Sequence, residues 1–142
     1  MRPATTTKLA GSFEVRSWTE EEWPGGKEAV AGSAAIRLTH VVGTQRFAGD
    51  IDGNGTVSWL MCYLPGAGAR FVGPQRIEGS VGGRAGSLVM ESSGDHDGVA
   101  SRGTWTVVPG AGTGALEGVR GGGDFVAPGG PRVEYELSLE TG

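Results

Sequence analysis

Between Thr104 and Phe125 the chain reads TWTVVPGAGTGALEGVRGGGDF. No helix tolerates such a run, because Gly118, Gly121, Gly122 and Gly123 would each cost about 1 kcal/mol relative to alanine in a helix interior. The glycines invite a phosphate-loop reading, but the spacing does not support it. A dinucleotide fingerprint needs strand, G-x-G-x-x-G and helix in that order. Gly110-Ala111-Gly112-Thr113-Gly114 has the wrong spacing and no helix behind it. The Gly-Lys-Ser/Thr ending of a P-loop is absent. The stretch therefore reads as β structure. Trp105, Val107 and Val108 form an apolar strand pattern, Pro109-Gly110 a turn, and residues 112–126 a bent strand relieved by glycine.

The rest of the chain follows the same grammar. Glycine is 28 of 142 residues, and the glycines punctuate short apolar, β-branched runs, the pattern of many strands with tight turns. Residues 1–10 carry no pattern and are expected to fray, leaving 11–142 as one domain. Gly11 to Thr19 alternates, with Phe13, Val15 and Ser17 on one face and Glu14, Arg16 and Trp18 on the other. Glu20-Glu21-Glu22-Trp23-Pro24-Gly25-Gly26 reads as an acidic loop ending in a turn. Strands are expected over Ala34–Val42 and Thr44–Ile51, with a hairpin turn on Asp52-Gly53 or Asn54-Gly55. Thr56 to Leu64 alternates most clearly, placing Val57, Trp59, Met61 and Tyr63 on one face and Ser58, Leu60, Cys62 and Leu64 on the other. Both faces are largely apolar, which suits a strand covered on both sides by packing or by a second subunit.

Arg70 to Val81 is a long strand interrupted by Pro74, which lacks a ladder donor and signals a bulge or an edge. Unbroken register puts Phe71, Gln75 and Ile77 on one face; a bulge would bring Arg76 and Glu78 to it instead. Those two side chains are thus either a polar pair inside the fold or an exposed ion pair. Further strands cover Ser87–Ser92, Val99–Val108 and Pro131–Leu139, with Val133, Tyr135, Leu137 and Leu139 facing inward. Eight or nine short strands and no helix predict an all-β fold, a closed antiparallel β-barrel of about eight strands. Such a barrel either fills its interior with side chains or holds one small ligand.

Composition narrows the function. The net charge of −4 and a pI near 5.1 argue against nucleic acid or an anionic membrane as partner. Arginine far exceeds lysine (only Lys8 and Lys27), as a GC-rich bacterial genome would encode. Cys62 is the one cysteine, so neither an internal disulfide nor a cysteine-rich metal site is available. In its apolar company it reads as inert. The start of the chain does not look like a signal peptide, and no apolar run approaches a membrane span of about 20 residues. A soluble, cytoplasmic protein is expected.

Asp50-Ile51-Asp52-Gly53-Asn54-Gly55 matches the first half of a calcium loop, but the twelfth position is Met61 rather than glutamate. A hairpin turn is the simpler reading. Asp95-His96-Asp97 reads as a solvated loop tip rather than a metal site. His40 reads as a hydrogen-bonded strand histidine rather than a general base. No metal or cofactor is expected.

GSFEVRSWTE, FAGDIDGNG, RFVGPQRIEGSVGGRAGSLVM and, above all, VVPGAGTGALEGVRGGGDF resemble the bacterial domain-of-unknown-function 3224 family, over roughly Gly11 to Leu139. The resemblance implies a small β-barrel similar to allene oxide cyclase, which self-associates as a homo-oligomer. The family has no established common activity. Leu88, where phenylalanine is usual, and Pro74-Gln75 depart from its pattern. Allene oxide cyclase steers a flexible substrate by positioning and charge placement, and none of its catalytic residues can be carried over. The implied function is a small-molecule-binding barrel for a hydrophobic substrate, or a cofactor-independent cyclase or isomerase. The alternative is a non-catalytic ligand-binding or self-assembling structural barrel. Ligand-binding candidates are Trp18, Trp59, Met61, Tyr63, Phe71, Trp105 and Tyr135; catalytic candidates are Glu20, Arg76 and Glu78.

Overall fold

Period-two alternation, sustained over long runs, produces long strands. The computed structural model describes residues 5–23, 36–66 and 68–141. Its strands are β1 (Thr5–Glu22), β2 (Arg37–Gly49), β3 (Ile51–Leu64), β4 (Gly68–Val81), β5 (Arg84–His96), β6 (Ser101–Val107), β7 (Thr113–Gly114), β8 (Arg120–Ala127) and β9 (Arg132–Thr141). Eight of them close an antiparallel ring in the order β1-β2-β3-β4-β5-β6-β8-β9, with β9 returning to β1. The short β7 stands outside the ring order and pairs β5 at Gly86 and Ser87, beyond the end of β6. The expected all-β closed barrel is what forms. Among the described residues no helix is long and apolar enough to cross a membrane.

Several boundaries move. β1 starts at Thr5, and residues 5–10 pair with β9, burying Leu9, so this part of the expected frayed terminus is strand. Met1 to Ala4 lie outside the described residues, as do the turn expected at Pro24-Gly25-Gly26 and the strand start at Ala34. Glu20 to Glu22 are strand rather than loop. The two strands expected over 34–51 are one, β2, which runs through Gly43. The β2–β3 turn falls at Gly49-Asp50, and Asp52 to Gly55 lie inside β3. There the two glycines supply space rather than a turn: a Cβ on Gly55 would sit 2.7 Å from the Phe47 ring. The residues of the calcium-like run have protein partners instead. Asp50 accepts from the Ala10 N–H, and Asp52 pairs with Arg46.

The two ends of the barrel differ. The β2–β3 and β4–β5 turns and residues 108–119 gather at one end. The stretch expected to be one bent strand is a plug followed by β8. Its backbone is tied to β5 through Val108 N–H to Val89 O (2.9 Å) and Ala115 N–H to Ala85 O (2.8 Å). Leu116 and Val119 are driven into the core from it. The turn between them needs Gly118 at φ +78°, a left-handed conformation that favours glycine. Above the plug, Phe13, Phe47, Trp105, Phe125 and Tyr135 stack with centroid separations of 4.7–6.3 Å. Glycine opposite the rings makes room for them; a Cβ on Gly103 would lie 2.3 Å from the Phe125 ring. This half of the barrel is a filled core. The other half is not filled.

Candidate functional site

At the end opposite the plug the interior opens into a cavity of about 470 Å³. This lies within the usual size range of small-molecule sites. Apolar side chains dominate its wall: Phe13, Val15, Trp18, Trp59, Met61, Ala69, Phe71, Phe125, Ala127 and Val133. The polar groups are few, namely Glu20, Gln45, Tyr63, His96 and Ser101.

A backbone irregularity in β1 builds one side of this site. Val15 pairs with Gln45 and Ser17 with Thr44, so Arg16 is an extra residue in the ladder. Side chains alternate strictly along a regular strand, and one inserted residue reverses the alternation beyond it. Phe13 and Val15 face inward before the bulge; Trp18 and Glu20 face inward after it, opposite Gly43 and Val41. The lack of a side chain at Gly43 leaves room for the Trp18 indole, which meets Trp59 edge to face at 6.2 Å. Trp59 in turn stacks on Phe71 at 4.7 Å.

Glu20 is the hub of the mouth. Its Oε2 accepts from the Thr39 hydroxyl at 2.6 Å and the Tyr63 phenol at 2.5 Å; its Oε1 accepts from Trp18 Nε1 at 3.0 Å. Burial by itself pushes the carboxyl up. Hydrogen bonds from Thr39, Tyr63 and Trp18, together with the Arg37 charge, outweigh burial and hold it below the ordinary glutamate value. Tyr63 moves the other way. Burial, then the bond to Glu20 and its charge, push the phenol up to about 12. The Arg37 guanidinium lies over the Tyr63 ring, 5.5 Å from its centroid, and its Nε donates to Glu22 at 2.7 Å. Glu20 is thus a fixed anion and Tyr63 a fixed neutral donor. Neither is poised to exchange a proton near neutral pH.

On the opposite wall, β5 runs on to His96, whose Nδ1 lies 2.7 Å from Ser101 Oγ across the β5–β6 ladder. Beneath the cavity, Gln75 ties the two halves together. Its Oε1 accepts from Ser92 Oγ and Trp105 Nε1, both at 3.0 Å, and its Nε2 donates to Gln45 Oε1 at 3.1 Å.

Residues 9–139 match the family described as protein of unknown function DUF3224. The chain belongs to that family. A solved DUF3224 structure from Shewanella oneidensis MR-1, titled as a protein with unknown function, superposes with a TM-score of 0.77 at 25% identity, over 95% of this chain and 97% of that one. No curated protein matches the sequence. The DUF3224 barrel is therefore shared, and its chemistry has to be read from the cavity.

Of the residues singled out in the sequence, Trp18, Glu20, Trp59, Met61, Tyr63 and Phe71 come together around the cavity. Trp105 and Tyr135 do not. Both are buried in the filled half, where the Tyr135 hydroxyl donates to Ala48 O (3.1 Å) and accepts from the Ile51 N–H (2.9 Å). Arg76 and Glu78 also lie elsewhere. β4 keeps one register with both neighbours past Pro74, so the bulge that would turn them inward does not form. They pair on the outer wall at 2.9 Å, with side chains 52% and 66% exposed. The ladder with β3 merely skips the pairs around Gly73 and Pro74. His40 also faces outward and bonds Ser58. His96 lines the cavity although the strand expected from the sequence stops at Ser92, because β5 extends to His96. Carrying the inward alternation of Leu88, Met90 and Ser92 two steps further reaches it. Asp97, beside it, caps the turn by accepting from the Val99 and Ala100 N–H groups.

Proposed function

We propose that this DUF3224 barrel binds one small, largely apolar molecule in the open half of its interior. The observation that carries the reading is the aromatic cavity itself, about 470 Å³ in a barrel whose other half is tightly filled. A structural barrel has no use for such a void, since unfilled core volume costs stability. The aromatic wall supplies burial, while Glu20 and Gln45 supply orientation.

A cofactor-independent cyclisation or isomerisation is the second reading. The ionised Glu20 carboxylate inside an aromatic wall favours it, because a fixed charge can stabilise developing positive charge without moving a proton. Self-association into a homo-oligomer is supported by apolar side chains on the outer face of β2–β4, where Val42, Leu64 and Val72 are exposed beside the half-buried Leu60 and Cys62. The single free cysteine fits a reducing, cytoplasmic setting.

The binding reading is tested with a library of small apolar and amphiphilic molecules in a thermal-shift screen of the wild type and of Ala69→Phe, which fills the cavity. Hits should raise Tm in the wild type by mass action and lose their effect in the filled variant. Hits that stabilise both proteins equally would place binding outside the cavity and end the proposal. Incubating each hit with protein and analysing products by mass spectrometry and NMR then separates an enzyme from a binder.

A further inference from the structure

We propose that the molecule taken into the cavity carries a cationic group, an ammonium head on an aromatic or aliphatic body, held at the mouth against Glu20. This rests on the binding reading above and adds the ligand's charge. Three observations on the mouth converge.

The first is charge. Among the described residues, Glu20 and Glu22 share a single guanidinium, Arg37, and Arg37 is bound to Glu22. The donors that Glu20 has among the described residues carry no charge: Thr39, Tyr63 and Trp18. Among the described residues, the carboxylate inside the rim is therefore solvated by dipoles and has no salt-bridge partner of its own. A neutral or anionic ligand would leave it so; a cation would complete it.

The second is capacity. A carboxylate offers about four acceptor positions over its two oxygens. Thr39 and Tyr63 take two on Oε2, and Trp18 takes one on Oε1. Oε1 can still accept one ammonium N–H. The three donors also fix the carboxylate in place, so a ligand does not bear the cost of ordering it.

The third is the wall. Trp18, Trp59, Phe71 and Tyr63 surround the space beside Glu20 with ring faces and edges. Such faces attract cations through the ring quadrupole. The mouth already shows this preference, because the Arg37 guanidinium sits 5.5 Å over Tyr63. His96, the other ionisable side chain on the wall besides Tyr63, lies on β5, four strands away in the ring of eight, and is engaged with Ser101.

The test uses three probes of one shape, 2-naphthylmethylammonium, 2-naphthylmethanol and 2-naphthoate, titrated into the wild-type protein by calorimetry at pH 7. The ammonium should bind about tenfold more tightly than the alcohol, and the naphthoate more weakly than both. In Glu20→Gln, checked for folding by circular dichroism, the ratio of ammonium to alcohol affinity should fall to about one. Equal wild-type affinities for ammonium and alcohol would overturn the cationic preference while leaving apolar binding intact. No binding of any of the three would overturn both readings. A preference that persists in folded Glu20→Gln would remove Glu20 as its source. The wild-type comparison decides the main point without any variant.

Discussion

Removing one oxygen tests the mouth cluster directly. Tyr63→Phe keeps the ring under Arg37 and deletes the 2.5 Å bond to Glu20. A hydrogen bond to a charged group contributes about 1.5–3 kcal/mol when well buried. Glu20 and Tyr63 are only half-buried, so solvent screening lowers this to about 1 kcal/mol. For a chain of this length that corresponds to a loss of about 3 °C in Tm. The pH dependence is the sharper part. The folded carboxyl of Glu20 lies below its ordinary value of 4.5. A depressed carboxyl stabilises the fold fully above its unfolded value, and that contribution is lost as pH falls through the folded value. The Tyr63→Phe penalty should therefore be full at pH 7 and shrink in the acid range below 4.5 as Glu20 gains its proton. Urea unfolding of wild type, Tyr63→Phe, Glu20→Gln and the double variant across that range gives the coupling as a double-mutant cycle. A penalty independent of pH, or a coupling near zero at pH 7, would refute the account of Glu20 as an anion held by Tyr63.

The two tyrosines make a second check, because both phenols are shifted upward: Tyr63 to about 12, and Tyr135 chiefly by burial. Native protein should show no phenolate absorbance step at pH 10, and stability should fall as pH rises towards 12; a half-amplitude step at pH 10 would contradict this. Gly103→Ala forces a Cβ to 2.3 Å from the Phe125 ring, an overpacking that should cost about 2 kcal/mol in chemical unfolding. Adding Phe125→Leu should restore part of the loss, and no restoration would mean the glycine is not there for space. Arg76→Ala breaks an exposed ion pair on the outer wall. It should change stability by less than about 0.5 kcal/mol and leave ligand-induced thermal shifts unchanged, since the pair does not reach the cavity.

The barrel was legible because closure needs only alternation and the absence of helices. Val57, Trp59 and Met61 face the interior as their spacing requires, and so do Val133, Tyr135, Leu137 and Leu139. The site was less legible, for two physical reasons. Glycine serves both as a turn residue and as vacant space beside a ring, and its letter does not say which. At Gly53 and Gly55 the letters suggest a turn, but both supply space: the β4 backbone at Glu78 closes on Gly53, and the Gln45 and Phe47 side chains take the room at Gly55. The second reason is that strand register is set by the partner strand. Pro74 looks like a bulge and keeps register, while Arg16-Ser17, with neither glycine nor proline, carries one. Reading parity straight through β1 sends Trp18 and Glu20 to solvent. The barrel instead takes up one residue and turns them inward.

That bulge yields a prediction in which the two parities disagree. Arg16 is exposed and approaches Glu14 at 3.9 Å. β9 pairs with β1 only as far as Glu14, so the bulged segment has a ladder to β2 alone. Deleting Arg16 would make Val15 and Ser17 consecutive while keeping their partners Gln45 and Thr44. Trp18 and Glu20 would still face the cavity, and the strand would lose its local kink for about 1 kcal/mol or less. The Tyr63→Phe penalty reports where Glu20 points, because it exists only when the carboxylate is inside. It should persist at about 1 kcal/mol in the deletion background. Were β1 regular in the wild type, Glu20 would face outward there, and the penalty would be absent before the deletion and appear after it. Equal penalties in the two backgrounds therefore establish the bulge as the device that aims Glu20, and a penalty found only after deletion refutes it.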